Sequence, residues 1–173
     1  MRGHVVGLLL MAALLLLGCG GAGEDPVSAV RAATVPGLSG RAVGILWDAY
    51  PYCLERIWTG LSRADAAAQA EVRCRLDLSA YAAAGVSDVT LVRAGRCLGS
   101  LDYVVGLRRE ADGAATVYYA ALEVAGRGPS STDKTEEVPL DDTVMMWAVA
   151  EGAPDPQVVE VITTASRDGC ARG

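Results

Sequence analysis

Histidine is almost missing from this 173-residue chain, and its single copy, His4, precedes a long apolar run near the amino terminus. Beyond that run there is no imidazole to serve as general base or metal ligand, so Ser-His-Asp, Cys-His and His-based zinc chemistry are excluded there. Phenylalanine and asparagine are absent, and Lys134 stands alone against 14 arginines. Those gaps, set beside abundant Ala, Gly and Arg, carry the imprint of a GC-rich genome, which makes arginine a default cation here and not a chosen reader of phosphate. Basic runs are missing and the formal charge is −6. An acidic surface repels phosphate backbones, so nucleic acid is not an expected partner. The sequence also lacks a CxxC pair, a P-loop, GxGxxG, GxSxG and any internal repeat. Its longest apolar run, Val5 to Leu17, has 13 residues, short of the roughly 20 that a helix needs to cross a bilayer.

That run has the layout of an export signal: Arg2 in front, an apolar middle, and the small residues Gly18, Cys19, Gly20 and Gly21 behind. The residues Leu16-Leu17-Gly18-Cys19 resemble the lipobox of bacterial lipoproteins, in which a branched apolar residue at minus three and a small one at minus one precede a cysteine. The resemblance implies that residues 1–18 are removed as a signal peptide and that Cys19 becomes an acylated first residue, carrying palmitate-type chains. Two or more chains hold a protein on a membrane stably, at ~0.8 kcal/mol per buried methylene. Gly20 is not aspartate, which by the same resemblance points to the periplasmic face of the outer membrane of the cell envelope.

Removal of residues 1–18 leaves 155 residues, room for one domain with a real core. Their formal charge is 14 − 21 = −7, since only Arg2 is lost. Four cysteines remain besides Cys19: Cys53, Cys74, Cys97 and Cys170. In an oxidising compartment they are expected to form two disulfides, and four cysteines allow three connectivities. The preferred pairing is Cys53 with Cys74 and Cys97 with Cys170, contributing ~3 and ~4 kcal/mol by loop closure. A simple hairpin register sets Cys74 nearer Arg56, so the first pair demands a bulge or bend.

Periodicity gives an α+β domain over 39–173 behind a flexible tether over 19–38, the tether holding at most a short helical turn in Val27 to Ala33. Val43, Leu46, Trp47 and Tyr50 fall on one face of a helix from Ala42 to Tyr50, which Pro51 ends. Strands are expected over Leu54 to Leu61, Glu71 to Leu78, Leu101 to Arg108 and Thr116 to Val124, the last two joined by an Asp112-Gly113 turn. The order Ala42-Val43-Gly44, Asp48 to Cys53, Trp58, Val72 and Leu76-Asp77 resembles small lipoproteins of Gram-negative bacteria. That resemblance implies a short helix leading into a tryptophan-bearing strand, and no activity. Asp88 to Val92 reads as a short strand, Gly126 to Glu137 as a loop, and Val158 to Thr164 as strand or short helix. Asp142 to Glu151 reads as a second helix capped by Asp141 or Asp142, with Leu140, Val144, Trp147 and Ala148 as its buried stripe. The expected architecture is an antiparallel sheet of about four strands covered by these two helices, with a small closed barrel as the alternative.

No catalytic constellation, metal site or cofactor is read from the chain, and the expected role is structural or protein-interacting, with an envelope protein as partner. Two other readings name residues. Tyr50, Tyr52, Trp58, Tyr118 and Tyr119 would line a carbohydrate or small-ligand groove if exposed together. Glu55 and Asp77 would serve a hydrolase if the first hairpin paired them. The acidic residues Asp133, Glu136, Glu137, Asp141 and Asp142 lack the alternation and central glycine of an EF-hand loop.

Overall fold

The computed structural model describes residues 24–38, 40–61, 67–126 and 135–168. Cys19, Asp133 and Cys170, together with the signal peptide, lie outside them. Five antiparallel strands form one sheet in sequence order: β1 (Cys53–Leu61), β2 (Gln69–Leu76), β3 (Leu98–Arg109), β4 (Ala115–Gly126) and β5 (Thr135–Pro139). Among the described residues six helices accompany it: α1 (Pro26–Ala32), α2 (Val43–Ala49), α3 (Ala80–Ala83), α4 (Asp88–Cys97), α5 (Asp142–Glu151) and α6 (Pro156–Asp168). The fold is therefore α+β, and the described residues hold one strand more than the about four expected and further helices beside the two expected to cover the sheet.

Strand alternation gives the sheet two unlike faces. Ala70, Val72, Cys74 and Leu76 of β2 and Leu101, Tyr103, Val105 and Leu107 of β3 are buried in one core with residues of the helices, including Val30, Leu46, Trp47, Met145, Val158 and Ile162. The opposite face carries Glu71, Arg73 and Arg75. Between Leu101 to Arg108 and Thr116 to Val124 the expected hairpin forms, with Tyr103 opposite Leu122 and Asp112 Oδ1 accepting the Ala114 N–H at 2.9 Å in the turn.

Several expectations need correction. Part of the tether is structured: Pro26–Ala32 is a helix whose Asp25 cap accepts the Ser28 N–H at 3.0 Å, and its Ala29 and Val30 are buried in the body. Asp88 to Val92 belongs to a helix, because Ser87 caps it from Thr90 N and the inward positions Leu91, Ala94 and Leu98 follow a helical spacing. The valines and threonine there imitated a strand. Val158 to Thr164, read as strand or short helix, is the helix, with Val158 and Ile162 one turn apart in the core. Thr135 to Glu137, expected to be loop, belongs to β5, which pairs with β4 at the sheet edge. The α5 bounds agree with the expected ones, and Gly152 at φ 64° ends the helix, a conformation cheap only for glycine. Its stripe is rotated, however. Ala148 is buried as expected and Leu140 packs against the core, but Met145, Met146, Val149 and Ala150 are the other residues turned inward, while Trp147 is 52% exposed.

Candidate functional site

The first hairpin closes on itself covalently. Arg56 stands opposite Cys74, the register shifts between Cys53 and Glu55, and this bulge brings Cys53 and Cys74 to a Cα separation of 5.6 Å in a disulfide. Cys97 is also disulfide-bonded. Arg56, on the inner face of β1, donates to the carbonyls of Trp47 at 2.6 Å and Tyr50 at 2.5 Å, so β1 satisfies the carboxyl end of α2. The same helix is held to α1 by Arg31, which contacts Asp48 at 2.5 Å and lies 5.1 Å over the Trp58 ring.

At the centre of the core, α2, β3, α3 and the start of α6 assemble an aromatic cluster. Trp47 meets Tyr103 edge-on at 6.0 Å between centroids, Tyr50 lies 5.4 Å from Tyr52, and Tyr52 lies 4.7 Å from Tyr81. Such tilted contacts suit aromatic quadrupoles. The Tyr103 hydroxyl donates to fully buried Asp155 at 2.8 Å, while Asp155 also accepts the Gln157 N–H at 2.8 Å as the cap of α6. Burial is the main cause that pushes the Tyr50 phenol up to about 12 and raises Tyr81 and Tyr103 well above the ordinary tyrosine value. Tyr50 and Tyr81 approach Tyr103 closely enough to influence its titration. Their own hydroxyls nevertheless lack a hydrogen-bond partner of good geometry among the described residues, as does Trp47 Nε1.

The open face of the sheet is laced with charge. Arg73 makes two contacts to Glu123, at 2.5 and 3.1 Å, with Glu71 at 3.9 Å, and the Glu123 hydrogen bond raises its pKa. Arg75 sits between Glu55 and Asp102, each at 3.4 Å. Val104 and Ala121 are buried beneath these side chains. The register shifts after Gly106, leaving Tyr118 as the bulged residue of β4. A Cβ on Gly106 would lie 2.6 Å from the Tyr118 ring, so the missing side chain makes room for an aromatic cover. Desolvation, then the Glu137 hydrogen bond, pushes the Tyr119 phenol up to about 12.

Neither family models, nor curated proteins, nor solved structures give a match to this chain.

The residues suggested for a ligand groove are scattered by the fold. Tyr50 and Tyr52 are core, Trp58 is half-buried against α1, and Tyr118 and Tyr119 are exposed on β4. A shallow hollow of about 420 Å³ exists elsewhere, between residues 35–38, the start of β4 and α5, lined by Leu38, Thr116, Asp142 and Met146 among others. None of the five aromatics lines it. Glu55 and Asp77 are engaged separately: Glu55 pairs with Arg75, while Asp77 Oδ1 accepts the N–H and hydroxyl of Ser79 at 2.9 and 2.6 Å. Glu136 and Glu137 lie on β5, and Asp141 caps α5 by accepting the Val144 N–H at 3.0 Å. Among the described residues no group of three His, Cys, Asp or Glu side chains is arranged to hold a metal. The buried Tyr103–Asp155 contact was missed in the sequence. Asp155-Pro156 ahead of an apolar run was its available signal, being a helix-start pattern.

Proposed function

We propose that the chain is a lipid-anchored protein of the bacterial cell envelope, exported, cleaved before Cys19 and acylated there, with a structural or protein-interacting body on the periplasmic side of the outer membrane. The observation that carries this reading is the Leu16-Leu17-Gly18-Cys19 run behind 13 apolar residues. The bonded Cys53–Cys74 pair supports it, because disulfides persist in oxidising compartments. Cys97 is assigned Cys170 as its partner: α4 packs against α6, whose last residue is Asp168, two positions before Cys170.

The anchor is short. Glu24, only five residues after Cys19, contacts Arg109 at 2.8 Å, so the chain between anchor and body spans at most about 18 Å. The body is thereby held against the bilayer, on the side of the sheet where α1 packs, and its charge-paired open face is turned to other envelope components. Mass spectrometry of the amino-terminal peptide from isolated envelopes tests the reading. A peptide beginning at Cys19 with two or three acyl chains is expected, and an unmodified peptide beginning anywhere else overturns it.

A further inference from the structure

The two edges of the sheet are guarded very differently. β5 has five residues, two of them the adjacent carboxylates Glu136 and Glu137, and it stops at Pro139. Short length, charge and proline are the devices by which proteins keep an edge from pairing. β1 has nine residues, no proline and no lysine, and it shows Leu54 at 67% and Ile57 at 49% exposure. Beyond the bulge at Leu54, its outer backbone groups from Glu55 to Leu61 form a continuous row, since β1 is terminal in the strand order. A row of this kind is a template for another strand.

We infer that β1 pairs antiparallel with β1 of a second copy, joining two five-stranded sheets into one of ten strands. Charge selects this occupant. Overlap of Glu55–Thr59 with itself centres the two-fold axis on Ile57 and sets Glu55 opposite Thr59 and Arg56 opposite Trp58. No like charges stand directly opposite each other, and Ile57 packs on its own symmetry mate. The same operation on β5 sets Glu137 against Glu137, which like-charge repulsion disfavours. Pairing β1 with β5 would be heterologous and would not close.

The axis stands perpendicular to the joined sheet, so both helix layers lie on one side. Both α1 helices, and the amino termini that lead into them, then face the same way. Two copies anchored in one bilayer can therefore pair, although the pairing itself does not require acylation of Cys19.

The test uses the full chain in its own membranes, with a photo-crosslinking amino acid at position 59 and, separately, at position 137. A product at twice the monomer mass from position 59 but not from position 137 is expected. Ile57→Lys, which sets two cations across the axis, should reduce that product by about fivefold or more. Ile57→Val keeps the apolar contact and should retain it, which separates lost pairing from lost folding. No doubled product, an equal yield from position 137, a product of another mass only, or indifference to Ile57→Lys would each overturn the inference.

Discussion

Removal of one hydroxyl from each buried tyrosine should have different consequences depending on whether that hydroxyl has a partner. The Tyr103 hydroxyl donates to Asp155 at 2.8 Å in a fully buried setting, whereas Tyr50 and Tyr81 lack such a partner among the described residues. A hydrogen bond to a charged group contributes about 1.5–3 kcal/mol, and a buried acceptor deprived of its donor is costly. Tyr103→Phe is therefore expected to cost about 2 kcal/mol, because among the described residues the Asp155 carboxylate keeps only its contacts to Gln157 at the start of α6. Tyr50→Phe and Tyr81→Phe remove hydroxyls that have no hydrogen-bond partner of good geometry among the described residues and should be nearly neutral. In urea, with a slope of about 2 kcal/mol per molar, the Tyr103→Phe midpoint falls by about 1 M while the other two stay within a few tenths. Equal shifts for all three, or a larger one for Tyr50→Phe, would refute the assignment of Asp155 to Tyr103.

Alkaline pH should expose the same cluster. With Tyr50 raised to about 12 by burial, stability is complete below the unfolded tyrosine value near 10 and is lost as pH rises from there through 12, because only the unfolded chain ionises readily. Unfolding followed by tyrosinate absorbance checks this, and Tyr50→Phe should flatten the slope. Replacing both Cys53 and Cys74 by Ala opens a loop of sequence separation 21 and should cost about 3 kcal/mol, read as a lower melting temperature under non-reducing conditions only. Gly106→Ala should cost about 1 kcal/mol in the parent chain, since its Cβ would meet the Tyr118 ring at 2.6 Å, and markedly less in a Tyr118→Ala background. Additive effects in that double-mutant cycle would rule out the aromatic cover.

The strands with one wet face were legible because their period is unmistakable: Val72, Cys74 and Leu76 alternate with Arg73 and Arg75, and the structure pairs them as read. Register was legible as well, since the conflict between Arg56 and Cys53 over Cys74 could be resolved only by the bulge that is present. Elements whose local preference opposes their final state were not legible. Asp88–Cys97 is rich in β-branched residues, yet Ser87 caps it and burial of Ala94 selects a helix. Thr135–Pro139 carries three polar residues in five and gains its strand only by pairing with β4, a long-range fact. Met145 and Met146 displaced Trp147 from the core because unbranched side chains fill irregular gaps that an indole does not. The aromatic groove failed for a related reason. Tyr50 and Tyr52 flank the turn into β1, and the core under a five-stranded sheet needs that bulk more than a surface does. Cys19 rests on sequence pattern alone.

The central claim is acylation at Cys19, and metabolic labelling with palmitate tests it most directly. The parent chain should take up label and sediment with membranes, while Cys19→Ser should take up none and lose its membrane association after processing. A Cys19→Ser chain that is processed normally and stays in the membrane fraction, or a parent chain that never takes up label, would contradict the account.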